Sequence, residues 1–327
     1  MDDPFSVALN DLKLLVADEL QEAEDMMSYK GCGNVEYITN VVQHLILSGG
    51  KRTRPSILLA VCRLLGCTDP RRVVVAAAIE YIHNATLLHD DVVDRSEIRR
   101  GKQTSNSIWG NKASILVGDF LFAVAFQWIV SCDSIPLLSV LSKASSTIIT
   151  GEIQQMIYSD KIDLSRAKYF EIISSKTAAL FAASCEAAAV LHDVETEMRT
   201  ALRDFGFNFG IVFQILDDIL DYTSHKEKLG KQTLNDLNNE KITIPIILTY
   251  EDIGNSERAE LRASMSKESQ NPELVLSYIT KNNSILKCLE LAKQYASAAK
   301  KQLSLFPDSQ CKHKLIRLLD SAVERQR

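Results

Sequence analysis

Apolar residues recur at helical spacing through almost the whole chain, and this periodicity limits the possible fold more than any other feature. In the segment 8–27, the apolar side chains stand three or four residues apart along one face. Similar stripes continue nearly to the C-terminal end, and no segment alternates convincingly with the period of two that marks a half-buried strand. The sequence therefore predicts an all-α protein of about a dozen helices.

The 327-residue length allows either two domains or one large helical bundle. Turn-forming clusters of Gly, Pro, Asn and Asp are short, apart from the segment 224–235. No low-complexity linker and no repeat of fixed period divides the chain. We therefore predict one domain over residues 1–327, with 224–235 as a functional loop because it follows a carboxylate-rich helix end.

Composition excludes several classes of protein. The 46% of apolar residues suffice for a large core, and the net charge of −5 argues against a broad surface for nucleic acid. Seven cysteines, odd in number and without a CxxC pair, indicate reduced thiols in a cytoplasmic compartment. The chain start shows no signal-peptide pattern, and the most apolar run, 115–130, falls short of a membrane span, so we predict no membrane-spanning segment.

Two predicted apolar helices each end in the same group of three aspartates. The two triads are Asp90, Asp91 and Asp94, and Asp217, Asp218 and Asp221. Residues three and four apart share a helix face, so the carboxylates of a triad converge and would repel one another without a cation. Mg²⁺ binds such oxygen ligands and shares its shell with substrate phosphates. One triad could equally be a solvated helix end, whereas two identical triads favour a shared cavity with several metal ions.

Basic residues lie beside the same helix ends. Two glycines precede a predicted helix start that carries Lys51 and Arg54, an arrangement that can bind anions. Arg99 and Arg100 follow the first triad, and Lys231 follows the second. Each basic cluster taken alone is more often a solvated surface, but together with the triads they are candidate sites for diphosphate groups.

These motifs, in this order, resemble those of the trans-polyprenyl diphosphate synthase family, and the similarity runs from Gly49 to Pro245. The matching stretches are Gly50-Lys51-Arg52-Thr53-Arg54-Pro55, Leu87 to Asp94 with Arg99-Arg100-Gly101, Gly118-Asp119, Lys176-Thr177, Phe213-Gln214 with the second triad, Gly230-Lys231, and Asn235-Asp236-Leu237 leading to Lys241. The resemblance implies the isoprenoid synthase fold of farnesyl diphosphate synthase, a helical bundle around a central cavity, assembled as a homodimer. It also implies Mg²⁺-dependent condensation of isopentenyl diphosphate with an allylic diphosphate primer.

The resemblance further implies a role for each site residue. About three Mg²⁺ ions would be held against the allylic diphosphate. Their ligands would be Asp90, Asp91, Asp94, Asp217 and Asp218, with Asp221 acting through these ligands. The residues contacting or facing the allylic diphosphate would be Arg99, Lys176, Thr177, Gln214, Lys231 and Lys241. Those binding isopentenyl diphosphate would be Lys51, Arg54, His83 and Arg100. The catalytic set would be the five metal-binding aspartates with Lys176 and Lys231.

His83 is the weakest of these assignments when the residue is considered alone. It is a polar residue on a mostly apolar helix, where a histidine is more often a satisfied part of the core. Only its position in the resemblance makes it a candidate ligand.

Two small residues before the first triad bear on product length. Short-chain relatives carry a bulky aromatic residue in this region, where this chain has Ala85 and Thr86. On a helix, Thr86 lies about 40° around from Asp90 and Ala85 about 140°, so geometry favours Thr86 as cavity lining, although the family pattern uses both. The resemblance implies an open cavity and a long all-trans product of the octaprenyl type, used for quinone side chains. Release of that product would then need a membrane or detergent.

Three alternatives remain open at this point. A short-chain farnesyl or geranylgeranyl diphosphate synthase would use the same motifs with a shallower cavity. A class I terpene cyclase would ionise one diphosphate but has no second diphosphate to bind, so the basic cluster at Lys51 argues against it. A regulatory subunit of a heteromeric synthase typically lacks aspartates from one triad, whereas both triads are intact here.

Overall fold

The computed structural model describes residues 3–30, 35–47, 49–159, 161–223, 234–239, 241–266 and 269–324. The first α-helices are α1 (Pro4–Leu15), α2 (Ala17–Asp25), α3 (Glu36–Leu47), α4 (Thr53–Leu64), α5 (Arg71–Val93), α6 (Ser105–Trp109), α7 (Asn111–Ser131), α8 (Ile135–Tyr158) and α9 (Arg166–Ile173). They are followed by α10 (Ala179–Leu191), α11 (Thr196–Thr223), α12 (Asn235–Asn238), α13 (Ile244–Asp252), α14 (Asn255–Met265), α15 (Pro272–Lys281), α16 (Ser284–Gln302) and α17 (Gln310–Glu324). The predicted all-α class is confirmed.

The helices outnumber the dozen predicted because the shortest ones, such as α6 and α12, have too few turns to show an apolar stripe. Two π-helical turns, Met26–Lys30 and Ser174–Ala178, and a 3₁₀ turn at Leu303–Leu305 further divide the helical runs. The sequence also gave no sign of a two-stranded antiparallel hairpin, β1 (Ile98–Arg99) with β2 (Lys102–Gln103). Strands of two residues are too short to show alternation.

The two helices that end in aspartate triads form the centre of the molecule. α5 packs along α7, and α11 packs between α10 and α16. Gly206 of α11 allows the close approach of α10, because a Cβ atom at this position would lie 2.4 Å from the carbonyl oxygen of Phe181. The buried apolar side chains form one cluster that extends from Phe5 in α1 to Ala322 in α17. The positions of the carboxylate-bearing ends of α5 and α11 therefore depend on a core to which helices from both ends of the chain contribute.

Within the described ranges, α7 is the one helix that is long and apolar enough to cross a membrane. Core helices of globular proteins can be equally long and apolar. Of the most apolar window of α7, 44% is buried inside the molecule. Its exposed apolar side chains include Leu116 and Val130, which are 57% and 61% exposed.

Candidate active site

The first triad ends α5 with two carboxylates at a cleft and one inside the protein. Asp90 and Asp94 line an open, polar cleft of about 360 Å³. Asp91 is only 3% exposed, and its Oδ1 accepts a hydrogen bond of 2.8 Å from Nε of Arg99. Burial raises the pKa of the Asp91 carboxyl, while the charge of Arg99 opposes that rise. In this arrangement Asp91 holds the arginine of the β1 strand, and Asp90 and Asp94 face the open space.

The second triad repeats the same distribution at the end of α11. Asp218, the second aspartate, is also 3% exposed, whereas Asp217 is exposed. Asp218 accepts hydrogen bonds of 2.6 Å from the hydroxyl of Tyr169 and 2.7 Å from Nε2 of Gln214. Burial raises the pKa of Asp218 to about 7, and both hydrogen bonds oppose that rise by stabilising the ionised form.

Lys176 forms the first link between the two helix ends. Its ammonium nitrogen lies 3.3 Å from Oδ2 of Asp90 and 2.6 Å from Oε2 of Glu152. The adjacent Thr177 donates a hydrogen bond of 2.7 Å to Oε1 of Gln214, which in turn binds the Asp218 carboxylate. Thus one short segment contacts the first triad directly through Lys176 and reaches the second through Thr177 and Gln214.

That segment is the π-helical turn Ser174–Ala178, a deviation that often marks functional sites. It packs against α8 at Gly151, where a Cβ atom would lie only 2.6 Å from the backbone nitrogen of Lys176. Any larger residue at this glycine would displace the lysine.

Lys241 forms the second link. Its ammonium nitrogen lies 2.6 Å from Oδ2 of Asp94, a contact between residues 147 positions apart. Its backbone nitrogen donates to the carbonyl of Asp236, whose own backbone nitrogen donates to Oδ2 of Asp221. The segments that carry Lys176 and Lys241 therefore each reach from an aspartate of the first triad to a partner of the second.

A narrower recess continues from the cleft into the protein, and Gln155, Ser159 and Lys241 line both. The recess is also lined by Lys176, Thr177, Gln214 and Asp218, together with apolar side chains such as Ile173 and Leu164. The combined site thus has a charged mouth and an inner recess where the buried Asp218 lies with four predicted substrate residues, Lys176, Thr177, Gln214 and Lys241.

The donor set suits a hard cation such as Mg²⁺. All the acidic groups at the cleft are carboxylates, which are oxygen ligands. In the described residues, no three His, Cys, Asp or Glu side chains converge tightly enough to hold an ion by themselves. Mg²⁺ ordinarily completes its shell with water and substrate phosphate oxygens, so Asp90 and Asp94 in the cleft and Asp218 in the adjoining recess fit a site shared with a phosphorylated ligand.

A second cluster of basic groups lies at the start of α4. The guanidinium of Arg54 stacks 4.3 Å from the ring centre of Phe181, and its Nε has no hydrogen-bond acceptor among the described residues. Arg100 donates a hydrogen bond to the carbonyl of Gly49. Burial, followed by the charges of Arg54 and Arg100, lowers the pKa of His83 well below its ordinary value. The structure thus gathers Arg54, His83 and Arg100 into one anion-attracting cluster.

Lys51, predicted to belong to this cluster, is exposed, and its ammonium lies 5.0 Å from the ring centre of Phe5. Lys231, predicted to contact the allylic diphosphate, lies outside the described residues. Ala85 is completely buried, whereas Thr86 retains accessible surface and donates a hydrogen bond of 2.7 Å to the carbonyl of His83. Of the two chain-length candidates, Thr86 is the one with space beside it.

Sequence reasoning missed Glu152, Gln155 and Tyr169 as site residues. Burial and the neighbouring charge of Asp90 raise the pKa of Glu152 to about 7, although Lys176 opposes that rise. Glu152 stands in the middle of the long apolar helix α8, without a second acidic residue at helical spacing that would have drawn attention to it. Tyr169 is an ordinary core residue by sequence, and only its contact with Asp218 reveals its role.

Tyr169→Phe is expected to raise the Mg²⁺ concentration that gives half-maximal activity by about tenfold, since a hydrogen bond to a charged group contributes about 1.5–3 kcal/mol. The hydroxyl stabilises the ionised form of the buried Asp218 carboxyl. Without this hydroxyl, protons compete more effectively with Mg²⁺ for the carboxylate. Titration of activity with Mg²⁺ at constant pH measures the change.

Tyr278→Phe is the matched control, because Tyr278 donates the same kind of hydrogen bond to Glu260 far from the cleft. An unchanged Mg²⁺ requirement in Tyr169→Phe would mean that Asp218 does not interact with the cation.

Comparison with known proteins places these features in a family. The family model described as "Polyprenyl synthetase" matches residues 35–281. Octaprenyl diphosphate synthase of Escherichia coli is 37% identical over 297 residues, which cover 90% of this chain and 92% of that protein. The resemblance derived from the motifs is therefore confirmed.

Solved structures agree with this comparison over nearly the full length. A polyprenyl synthase from Caulobacter crescentus, complexed with calcium and isoprenyl diphosphate, superposes with a TM-score of 0.91 at 39% identity, covering 98% of each chain. A decaprenyl diphosphate synthase from Rhodobacter capsulatus superposes with a TM-score of 0.92 at 34% identity, covering 98% of this chain and 99% of that one. The fold is that of the isoprenoid synthase helical bundle.

Proposed function

The chain belongs to the polyprenyl synthetase family and is a trans-prenyltransferase, and we propose that it makes a long-chain all-trans polyprenyl diphosphate from isopentenyl diphosphate and an allylic primer. The observation that supports the proposal is that Lys176 and Lys241 pair with Asp90 and Asp94 of the first triad and also line the recess that contains Asp218 of the second. Repeated carboxylates opposed by lysines suit a ligand that brings its own negative charge together with divalent cations.

We assign one group of residues at the cleft to Mg²⁺ and another group to the allylic diphosphate. We assign about three Mg²⁺ ions to the site. Their predicted ligands are Asp90, Asp91, Asp94, Asp217 and Asp218. Of these, Asp91 is buried with its carboxylate bound to Arg99, so it also positions that arginine. Lys176 and Lys241 now neutralise the aspartates, and they would contact the allylic diphosphate once cations take over that task. Thr177 and Gln214 lie beside them, and Lys231 and Arg99 complete the predicted set.

The chemistry follows from this division of charge. Bound Mg²⁺ would stabilise the negative charge that develops on the departing diphosphate. Lys176 and Lys241 supply further positive charge at the same place, so the bond between the allylic carbon and oxygen breaks more easily. The apolar walls of the recess, including Ile173 and Leu164, exclude water from the resulting allylic cation. The double bond of isopentenyl diphosphate then attacks that cation, and the released diphosphate takes up the proton that leaves, which gives the lengthened allylic product.

The basic cluster at α4 is assigned to isopentenyl diphosphate. Its members are Lys51, Arg54, His83 and Arg100. Because Arg54 has an unused Nε donor and His83 is held neutral by burial and surrounding cations, the cluster has donors available for a second anionic group. This second anion site favours a prenyltransferase over a terpene cyclase, which binds one diphosphate.

Lys51→Ala and Arg54→Ala are expected to raise KM for isopentenyl diphosphate by about tenfold or more, because each loses a charge-assisted contact of about 1.5–3 kcal/mol. KM for the allylic primer should change little, since the triads are untouched. Steady-state kinetics with each substrate varied in turn measures both constants.

Arg258→Ala is the matched control for Arg54→Ala, because Arg258 also stacks on an aromatic ring, that of Tyr250, but at a remote site. Equal increases in KM for both substrates would contradict the assignment of the cluster to isopentenyl diphosphate.

A long product is favoured by the small residues before the first triad and by the named relatives. The E. coli relative is an octaprenyl and the R. capsulatus relative a decaprenyl diphosphate synthase. We propose that the product of this chain serves as a quinone side chain. The decisive experiment incubates the purified chain alone with Mg²⁺, isopentenyl diphosphate and several primers, and determines product length by mass spectrometry. Products of fifteen to twenty carbons would make it a short-chain enzyme, and no turnover would make it a subunit that needs a partner.

We also propose that the chain acts in the cytoplasm as a homodimer of single-domain subunits. The six cysteines that the structure describes are all free thiols, in keeping with a reducing compartment. Helices α7 and α8 expose apolar side chains that a second copy could cover, among them Leu116, Val130 and Ile153. Release of a long apolar product would need a membrane or detergent, because exposure of its apolar chain to water is unfavourable.

A further inference from the structure

We propose that Arg52 is a positioning residue for isopentenyl diphosphate, holding the turn at residues 49–54 in shape from inside the protein. The inference rests on the proposed role of Lys51 and Arg54, between which Arg52 stands in the sequence. Its own side chain is unsuited to touching substrate because it is only 6% exposed. Lys51 on one side is exposed, and Arg54 stacks on Phe181 on the other.

The backbone at Arg52 is the first sign of this role. Its φ of +48° lies in the left-handed region, which costs a residue other than glycine about 1–3 kcal/mol. Such a conformation persists only where the surroundings fix it. Here it immediately precedes Thr53, the first residue of α4, and the carbonyl of Arg52 accepts hydrogen bonds from both the backbone nitrogen and the hydroxyl of Ser56.

The side chain of Arg52 joins three other elements. Its Nε donates to Glu24 of α2 at 2.9 Å, and its Nη1 donates to Glu80 of α5 at 3.0 Å. Its Nη2 donates to the carbonyl of Ile46 in α3 at 3.3 Å. Glu80 is only 3% exposed, so both the guanidinium and this carboxylate depend on each other for charge compensation. A planar fork with several donors can satisfy all three acceptors, which a lysine cannot.

The same guanidinium lies directly behind the turn. A Cβ atom on Gly50 would be 2.7 Å from Nη1 of Arg52 and 3.1 Å from Nη1 of Arg100. Arg100 also donates to the carbonyl of Gly49. Two guanidinium groups therefore pack against the same side of Gly50: that of Arg100, which belongs to the anion cluster, and that of Arg52, which Glu24 and Glu80 fix. Loss of Arg52 would free the turn that presents Lys51 and Arg54.

The chain offers a closely matched control at the other end of the same helix. Arg63, near the end of α4, pairs with Glu19 of α2 at 3.1 Å, so it joins the same two helices by the same chemistry as Arg52 and Glu24. It lies about 16 Å further along α4, away from the turn. A purely structural effect of losing an arginine between α2 and α4 would appear in both variants.

The experiment compares Arg52→Met, Arg52→Lys and Arg63→Met by thermal unfolding and by KM for each substrate. We expect Arg52→Met to raise KM for isopentenyl diphosphate by about tenfold, with KM for the allylic primer and kcat within about twofold. Arg52→Lys should fall between Arg52→Met and the unmodified protein. Arg63→Met should lower the unfolding temperature without changing either KM.

Glu24→Gln keeps the test decisive if Arg52→Met does not fold, because Glu24 is a third exposed and the change removes only charge. A normal KM for isopentenyl diphosphate in a folded Arg52→Met or Glu24→Gln, or equal increases for both substrates, would overturn the positioning role. Lys51→Ala distinguishes a failure of the substrate assignment of the cluster from a failure of the Arg52 inference alone. If it leaves that KM unchanged, the substrate assignment of the cluster fails, and the inference about Arg52 fails with it.

Discussion

Replacing Asp90 or Asp218 with asparagine is expected to lower turnover by about a hundredfold or more while preserving the helical fold. Asp90 lines the cleft and contacts Lys176, and Asp218 lines the adjoining recess, where it binds Tyr169 and Gln214. Asparagine keeps the size of each side chain but removes the negative charge that a cation requires. Turnover at saturating substrate, measured over a range of Mg²⁺ concentrations, gives the effect.

Asparagine is preferred to alanine because Asp218 accepts two buried hydrogen bonds, and leaving both donors unpaired would cost about 1–3 kcal/mol each. Asp204→Asn on the same helix α11 is the control, since Asp204 is exposed and pairs with Arg203 at the surface. Removal of divalent cations with a chelator should abolish activity in the unmodified protein, and added Mg²⁺ should restore it. Near-normal turnover in both asparagine variants would refute a metal site shared by the two triads.

Thr86→Phe is expected to shorten the product to about four isoprene units or fewer, because a ring beneath Asp90 fills the space into which the chain grows. Thr86 lies one turn before Asp90 on α5, and it retains accessible surface in an otherwise buried stretch. The first additions should proceed at a near-normal rate, since the diphosphate sites are untouched. Mass spectrometry of the products after extraction measures the chain length.

Ala85→Phe should shorten the product as well, but with a loss of stability of about 1–3 kcal/mol from overpacking, because Ala85 is completely buried. Thr86→Val is the control: it keeps the size of the side chain and removes only the hydroxyl that binds the carbonyl of His83. If product length stays the same in both phenylalanine variants while activity persists, the growing chain does not pass this part of α5.

Local chemistry in the sequence was sufficient for the helical class and for most of the candidate site. The 3.6-residue periodicity of apolar side chains is a property of each segment, and so is the clustering of three aspartates at a helix end. The argument for a shared cavity needed only the repetition of the triad. The pairing of Lys241 with Asp94 then appeared in the structure as a contact between segments 147 residues apart.

The direction in which each carboxylate faces could not be read from the sequence. Asp90 and Asp91 are neighbours of the same type, yet one faces the cleft and the other is buried against Arg99. The second triad divides in the same way, with Asp217 exposed and Asp218 buried. Which residue is buried depends on the elements that pack against the helix, and the sequence spacing of the triad carries no information about them.

The sequence by itself determined the helical elements, the acidic ends of α5 and α11, and the basic turn before α4, because these depend on residue type and on spacing within one segment. Only the tertiary structure decided that Tyr169 and Glu152 lie beside the triads and that Arg52 is buried against Glu24 and Glu80. These roles come from contacts such as Tyr169 with Asp218 and Arg52 with Glu80, between residues 49 and 28 positions apart. Such contacts form when helices pack closely, and close packing depends on the whole set of helices rather than on any one of them.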